Sequence, residues 1–94
     1  MALTHDQLQD LHQIITNIVY KDTLSTTEHY CVMFFMNALT SWSTEIGDSN
    51  WQIRLTVSDV LTNLACMGTG LYTYRLVCAN EAQMAIKILQ KYVK

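Results

Sequence analysis

The chain has 94 residues, of which half are hydrophobic and 15% are charged, and its formal net charge is −2. That length gives room for a single domain over residues 1–94 with one modest core, and the composition excludes a disordered chain. The slightly negative charge argues against a general binder of nucleic acids or anionic membranes. Because proteins average about 25% charged residues, the surplus of apolar surface favours an oligomer or a stable complex with a partner.

Charge is divided unevenly between the two halves of the chain. Residues 1–50 carry six acidic side chains and one basic side chain, whereas residues 51–94 carry two acidic and five basic side chains. An acidic N-terminal half suits a basic protein partner. The same charges also complement helix dipoles, and the sequence favours neither interpretation over the other.

The cysteines and the longest apolar run indicate in which cellular compartment the protein is expected. There are three cysteines, and no C-x-x-C pair occurs among them. No basic region followed by an apolar run is present at the N-terminus, and the strictly apolar run over residues 30–36 is far too short to cross a membrane. We expect buried, unpaired thiols and a cytoplasmic protein that does not insert into membranes.

The first predicted helix covers about residues 5–21. Thr4 and Gln7 have the spacing of a capping box, in which each side chain bonds the backbone amide of the other residue. The apolar positions then recur at helical spacing, and they are Leu8, Leu11, Ile15 and Ile18. This pattern predicts an amphipathic helix with one buried side.

The second predicted helix covers residues 26–46, between a capping box at Ser25 and Glu28 and a terminating Gly47. Every residue from 30 to 36 is apolar, so this part of the helix has no polar side and should be buried all round. A chain this small cannot easily surround one of its own helices. We therefore predict a self-association interface on this helix, formed by Tyr30, Met33, Phe34, Phe35 and Met36.

The third predicted helix covers about residues 50–78. Its first eight residues alternate as a strand would, but an apolar seam at spacings of three and four runs from Ile53 through Tyr74 to Cys78 and outweighs that alternation. One long helix is the prediction, with Tyr74 in the core. Two glycines near 68–70 provide the alternative, which is a break into two helices or a close crossing by another backbone.

The fourth predicted helix covers residues 81–93. Asn80 is its N-cap, and the side chain of Gln83 is expected to bond the Asn80 amide in return. Lys87, Lys91 and Lys94 lie toward the C-terminus, where cations suit the helix dipole. All the predicted connections are short, so successive helices should pack antiparallel. The sequence therefore predicts an all-α protein that folds as a compact four-helix bundle.

Motifs that carry chemistry are missing from the sequence. No nucleophile lies beside a base in a recognisable arrangement, and His5 and His12, two helical turns apart, lack the companions that a metal site needs. The Gly68-Thr69-Gly70 segment has neither the preceding strand nor the lysine of a phosphate-binding loop. We expect no enzymatic activity, no metal and no cofactor.

These observations predict a non-enzymatic, self-associating protein-interaction module. It would act as an inhibitor or regulator of a larger protein machine, and its size is typical of viral, phage-type anti-defence and regulatory proteins. Aromatic residues are enriched at binding hot spots, so the predicted partner-binding face combines acidic residues with one exposed tryptophan. These residues are Asp6, Asp10, Glu45, Asp48 and Trp51.

Two alternatives stay open. A guanidinium and aromatic rings can hold a nucleotide or another small ligand, and Lys21, Tyr72 and Arg75 are the residues for an oligomer that binds or sequesters such a molecule. The other alternative is a structural subunit of a larger complex.

Overall fold

A computed structural model of the chain describes residues 1–69 and 72–93. Within these residues the backbone forms four α-helices and no strand, which confirms the predicted all-α bundle. The helices are α1 (His5–Ile18), α2 (Thr26–Ile46), α3 (Trp51–Met67) and α4 (Tyr72–Tyr92). Three residues that the sequence analysis used, Gly70, Leu71 of the seam and Lys94, lie outside the described residues.

Capping boxes begin the first two helices as predicted. Thr4 Oγ1 accepts a hydrogen bond from the Gln7 amide at 3.1 Å, and Gln7 Oε1 accepts one from the Thr4 amide at 2.9 Å. Ser25 and Glu28 repeat this exchange at 3.1 and 2.9 Å. Each box satisfies two amides that a helix start otherwise leaves without partners, so both starts are determined within one turn of sequence.

The long third helix of the prediction is divided in two, because α3 ends at Met67 and a separate helix, α4, follows from Tyr72. The Gly68 amide donates to the Ala65 carbonyl at 3.2 Å, and the Thr69 amide donates to the Cys66 carbonyl at 3.1 Å. The Thr69 hydroxyl bonds the same Cys66 carbonyl at 2.8 Å. These bonds close a tight turn at the end of α3, so the seam from Ile53 to Cys78 is split between two helices.

The predicted start of the fourth helix at residue 81 is wrong, because α4 begins at Tyr72. Asn80 lies inside α4, and the Gln83 side chain does not form a capping bond with it. Instead the Gln83 amide group donates to Thr16 Oγ1 at 2.8 Å and to the His12 carbonyl at 3.1 Å on α1. An asparagine inside a helix costs only a fraction of a kcal/mol, about 0.7 at most, and two residues just before it, Cys78 and Ala79, are buried.

The four helices form an antiparallel ring in which α1 packs on α4, α4 on α3, and α3 on α2. Gln90 of α4 donates to Gln9 near the start of α1 at 3.1 Å, which shows the opposed directions of these two helices. Packing is closest between α3 and α4, where α4 buries Ala79, Ala82 and Ala85. Small side chains at a contact let two helix axes approach. The helices α1 and α2 approach each other at the fewest points.

One core fills the centre of the ring. Its largest fully buried side chains are Leu8, Leu11, Ile15, Leu39, Val57, Val60, Ile86 and Leu89. Trp42 closes one end of this core, with 5% of its surface exposed. Gly47 follows with φ +52°, which is a left-handed conformation that glycine adopts without strain. That glycine turns the chain from α2 into α3.

Candidate functional site

The apolar run on α2 is divided between the core and the surface. Phe35 is 6% exposed and belongs to the chain's own core, and Met36 packs partly against that core. Tyr30, Met33 and Phe34 are 69%, 41% and 55% exposed. The bundle therefore buries part of the segment that was predicted to be buried all round. The self-association interface stays a prediction, and it now rests on the three exposed residues.

Along its exposed side, α2 has no charged residue between Glu28 and Glu45. We call this surface the α2 face, and its side chains are Tyr30, Met33, Phe34, Asn37, Thr40, Ser41 and Thr44. The Thr40 hydroxyl donates to the Met36 carbonyl at 2.9 Å, and the Thr44 hydroxyl donates to the Thr40 carbonyl at 3.0 Å. Because both hydroxyls are engaged within the helix, the α2 face is less polar than its composition indicates.

A groove of about 670 Å³ follows the α2 face where α1 and α2 diverge. Its α1 wall is polar, with Gln7, Asp10 and Gln13, and its α2 wall includes Tyr30 and the two phenylalanines. The rings of Phe34 and Phe35 meet edge to face with their centres 5.2 Å apart. This geometry is favourable for aromatic pairs, so the buried ring holds Phe34 in place at the edge of the groove.

The predicted partner-binding residues lie on α1 and around the turn between α2 and α3. Asp48 accepts a hydrogen bond from Arg54 Nη1 at 2.8 Å, and Glu45 pairs with the amino group of Met1. Asp6 and Asp10 are exposed on α1, and Trp51 is 60% exposed at the start of α3. Two of the four carboxylates are thus already engaged within the chain. The acidic partner-binding face stays a prediction.

The three residues of the alternative ligand site come together, although they are far apart in sequence. Arg75 Nη1 donates to the Lys21 carbonyl at 2.6 Å. The guanidinium carbon of Arg75 lies 5.7 Å from the centre of the Tyr72 ring, and the Tyr20 ring lies 6.0 Å from that ring. The Lys21 ammonium pairs with Glu28 at 2.6 Å, and this bond, followed by that from the Ser25 backbone, holds the pKa of Glu28 below its usual value.

A cluster of two thiols and a phenol joins α3 to α4, and the sequence analysis missed it. The Cys66 thiol donates to the Tyr74 hydroxyl at 3.0 Å. Hydrogen bonds from Cys78 and then Tyr74 lower the pKa of Cys66, while burial raises the pKa of Cys78 to about 11. The prediction of Tyr74 as a core residue is wrong, since it is 50% exposed. The cysteines are unpaired as expected, but Cys78 alone is fully buried.

A second exposed apolar surface lies on α4, and the sequence analysis missed it too. Val77, Met84 and Ile88 are 55%, 58% and 45% exposed, and spacings of seven and four place them on one side of the helix. The same helix also has a buried set of apolar residues at helical spacing, so periodicity alone does not show which set faces solvent. Both α2 and α4 therefore present apolar side chains to solvent.

The part of the chain that the structure describes holds neither a cluster of metal ligands nor a membrane-spanning helix. In that part no three histidine, cysteine or acidic side chains gather where they could hold a metal ion. None of its helices combines the length and the apolar character needed to cross a membrane. Comparisons of the chain with protein-family models, with curated proteins and with solved structures found no match.

Proposed function

We propose that this protein is a non-enzymatic interaction module that self-associates by pairing the α2 faces of two copies. The observation that carries the proposal is the exposure of Tyr30 and Phe34 on a helix surface without charge. Exposed apolar residues scattered singly are ordinary. These two are adjacent across one helical turn, and a groove continues from them.

The exposed area of the Tyr30 and Phe34 rings is large enough to favour association when it is covered. A phenylalanine or tyrosine can bury about 150–250 Å², so at 69% and 55% exposure each ring leaves roughly 80–170 Å² in water. At about 25 cal/mol per Å², covering one ring favours association by about 2–4 kcal/mol before entropic costs. A two-fold contact doubles this gain, because each copy contributes the same rings.

Charge favours a second copy as the occupant. In a two-fold pair the same patch lies on both sides of the contact, so a charged patch would oppose its own sign. The exposed Asp6 and Asp10 disfavour such a contact on α1. The α2 face itself carries no charge, so an antiparallel pairing centred near Phe34 brings apolar side chains together. Asp10 lies on the α1 wall of the adjoining groove, outside the α2 face.

The acidic residues around the α2–α3 turn support the second part of the proposal. Trp51 is exposed there beside Asp48, and tryptophan is enriched among binding hot spots. In our proposal a basic surface of a second protein binds at this end, and the dimer regulates that protein. Charge reversal at Asp6, which leaves the core untouched, is expected to weaken such a complex without changing the fold.

Sedimentation equilibrium of matched variants tests the self-association. Wild type should sediment as a dimer, and Phe34→Glu should sediment as a folded monomer, because a buried charge opposes its copy across the contact. Met84→Glu is the matched control, since Met84 is 58% exposed on α4, and it should remain dimeric. Circular dichroism verifies that both variants are folded. A monomeric wild type, or a Phe34→Glu protein of unchanged mass, would contradict the proposal.

A further inference from the structure

A cavity of about 330 Å³ lies where α1 and α3 end and where α2 and α4 begin. This volume is at the lower end of small-molecule sites, which are typically about 300–1,000 Å³. Most of its wall is apolar, and the apolar residues are Ile18, Val19, Leu24, Val32, Leu64 and Met67. Lys21, Asp22 and Arg75 supply its polar part. A mostly apolar cavity with a few polar groups is typical of a site for a small organic molecule.

Arg75 is the cation of this wall that has no ion-pair partner among the described residues, and Asp22 is the wall's one acidic side chain among them. Among residues 1–69 and 72–93, no carboxylate forms an ion pair with its guanidinium. Its Nη1 donates to a backbone carbonyl, while its Nε is shielded from water and has no hydrogen-bond partner in those residues. A buried donor without an acceptor destabilises the folded chain, because it has lost its hydrogen bonds to water. An anionic acceptor supplied from outside the chain would remove this penalty.

The neighbouring charges make Arg75 the specific anchor. Lys21 has its own carboxylate partner in Glu28, so its ammonium is already neutralised. Asp22 lines the cavity without forming an ion pair with Arg75. The Tyr72 ring lies against the guanidinium, which restricts the side chain and prepares its planar group for a carboxylate or phosphate.

We propose that this cavity binds a small organic anion, with the apolar body of the ligand between the helix ends and its carboxylate or phosphate on Arg75. The binding site is complete within one chain. It therefore stands whether or not the α2 faces pair.

Three probes that share one apolar chain test this site: octanoate, octyl phosphate and neutral octanol. By isothermal titration calorimetry we expect an anionic probe to bind wild type more tightly than octanol does. Arg75→Gln should weaken the anionic probes about tenfold or more, since it removes a charge-assisted hydrogen bond, and should leave octanol unchanged. The tighter of the two anions identifies the headgroup as carboxylate or phosphate.

Two further variants separate loss of the site from loss of the fold. Arg54→Gln removes a cation that pairs with Asp48 outside the cavity, and it should bind the probes as wild type does. Leu24→Trp replaces an aliphatic side chain of the cavity wall with a bulky ring, at a position that is 37% exposed. This variant should abolish binding of every probe while the helix content stays unchanged.

The proposal is overturned if wild type binds neither anion, if octanol binds as tightly as the anions, or if Arg75→Gln binds octanoate as wild type does. The same titrations on Phe34→Glu keep this result separate from the self-association. Probe binding to a monomeric chain would support the cavity site even if the pairing of α2 faces failed.

Discussion

The α3–α4 side of the bundle is the more closed of the two, because these helices pack most closely, whereas the α1–α2 side opens into a groove of about 670 Å³. On the closed side, small residues such as Ala82 and Ala85 let the two helices approach. On the open side, polar Gln7 and Asp10 stand opposite the partly exposed Phe34. The closest packing thus lies on the α3–α4 pair, and the exposed rings of the α2 face lie on the α1–α2 pair. Substitutions on the two sides should therefore have different consequences.

The largest expected effect on stability separates the two sides directly. Ile86→Ala on α4 removes a side chain that is 0% exposed and should lower the free energy of unfolding by about 2–5 kcal/mol. Phe34→Ala on α2 should cost only about 0.5–1.5 kcal/mol, the value of its ring contact. Urea denaturation followed by circular dichroism measures both values. Equal losses in a protein kept monomeric by dilution would show that the open side is also part of the core.

A helix-start comparison probes the corrected boundary of α4. Ser25→Ala removes a real cap and should destabilise the protein by about 0.5–2 kcal/mol. Asn80→Ala should instead stabilise it by up to about 0.7 kcal/mol, because Asn80 is exposed inside a helix where alanine has the better propensity. Thermal melting of both variants gives opposite shifts. A destabilised Asn80→Ala protein would mean that α4 begins near residue 81 after all.

The smallest expected effect concerns the α1–α4 contact and depends on pH. Partial burial and then the charge of Lys87 lower the pKa of His12 from its ordinary 6.5. The folded state therefore disfavours the protonated ring. The contribution of neutral His12 to stability is fully present above pH 6.5 and declines as the pH falls toward the lowered pKa. His12→Gln should flatten this decline in urea midpoints measured across that range. An equally steep decline in the variant would assign the effect to another group.

Helix starts could be predicted where the signal lies within a few residues. Thr4, Gln7, Ser25 and Glu28 bond one another across one turn, so their pattern is sufficient to place the starts of α1 and α2. The prediction that Asn80 begins a helix was wrong, although Asn80 and Gln83 have the same three-residue spacing as the two capping boxes. A capping residue acts only at the position where a helix begins, and α4 already includes the residues from Tyr72 onward.

The candidate sites depended more heavily on distant contacts. The pattern of α2 predicted apolar surface, but only the positions of α1 and α3 decide that Phe35 is buried and that Phe34 is exposed. The alternative ligand residues were chosen for their chemistry, and the fold then brought Lys21 and Arg75 into contact. No local pattern predicts that contact, since it joins residues that are 54 positions apart in the sequence.

By itself the sequence determined the all-α class, two helix starts and the excess of apolar surface, because capping, helical periodicity and composition act over one or two turns or over the chain as a whole. The tertiary structure alone decided which of these apolar residues stay in water, where α4 begins, and that Arg75 lines a cavity without forming an ion pair to any carboxylate of the described residues. Burial and charge compensation depend on the residues that other helices bring near, and those neighbours are set by packing rather than by sequence proximity.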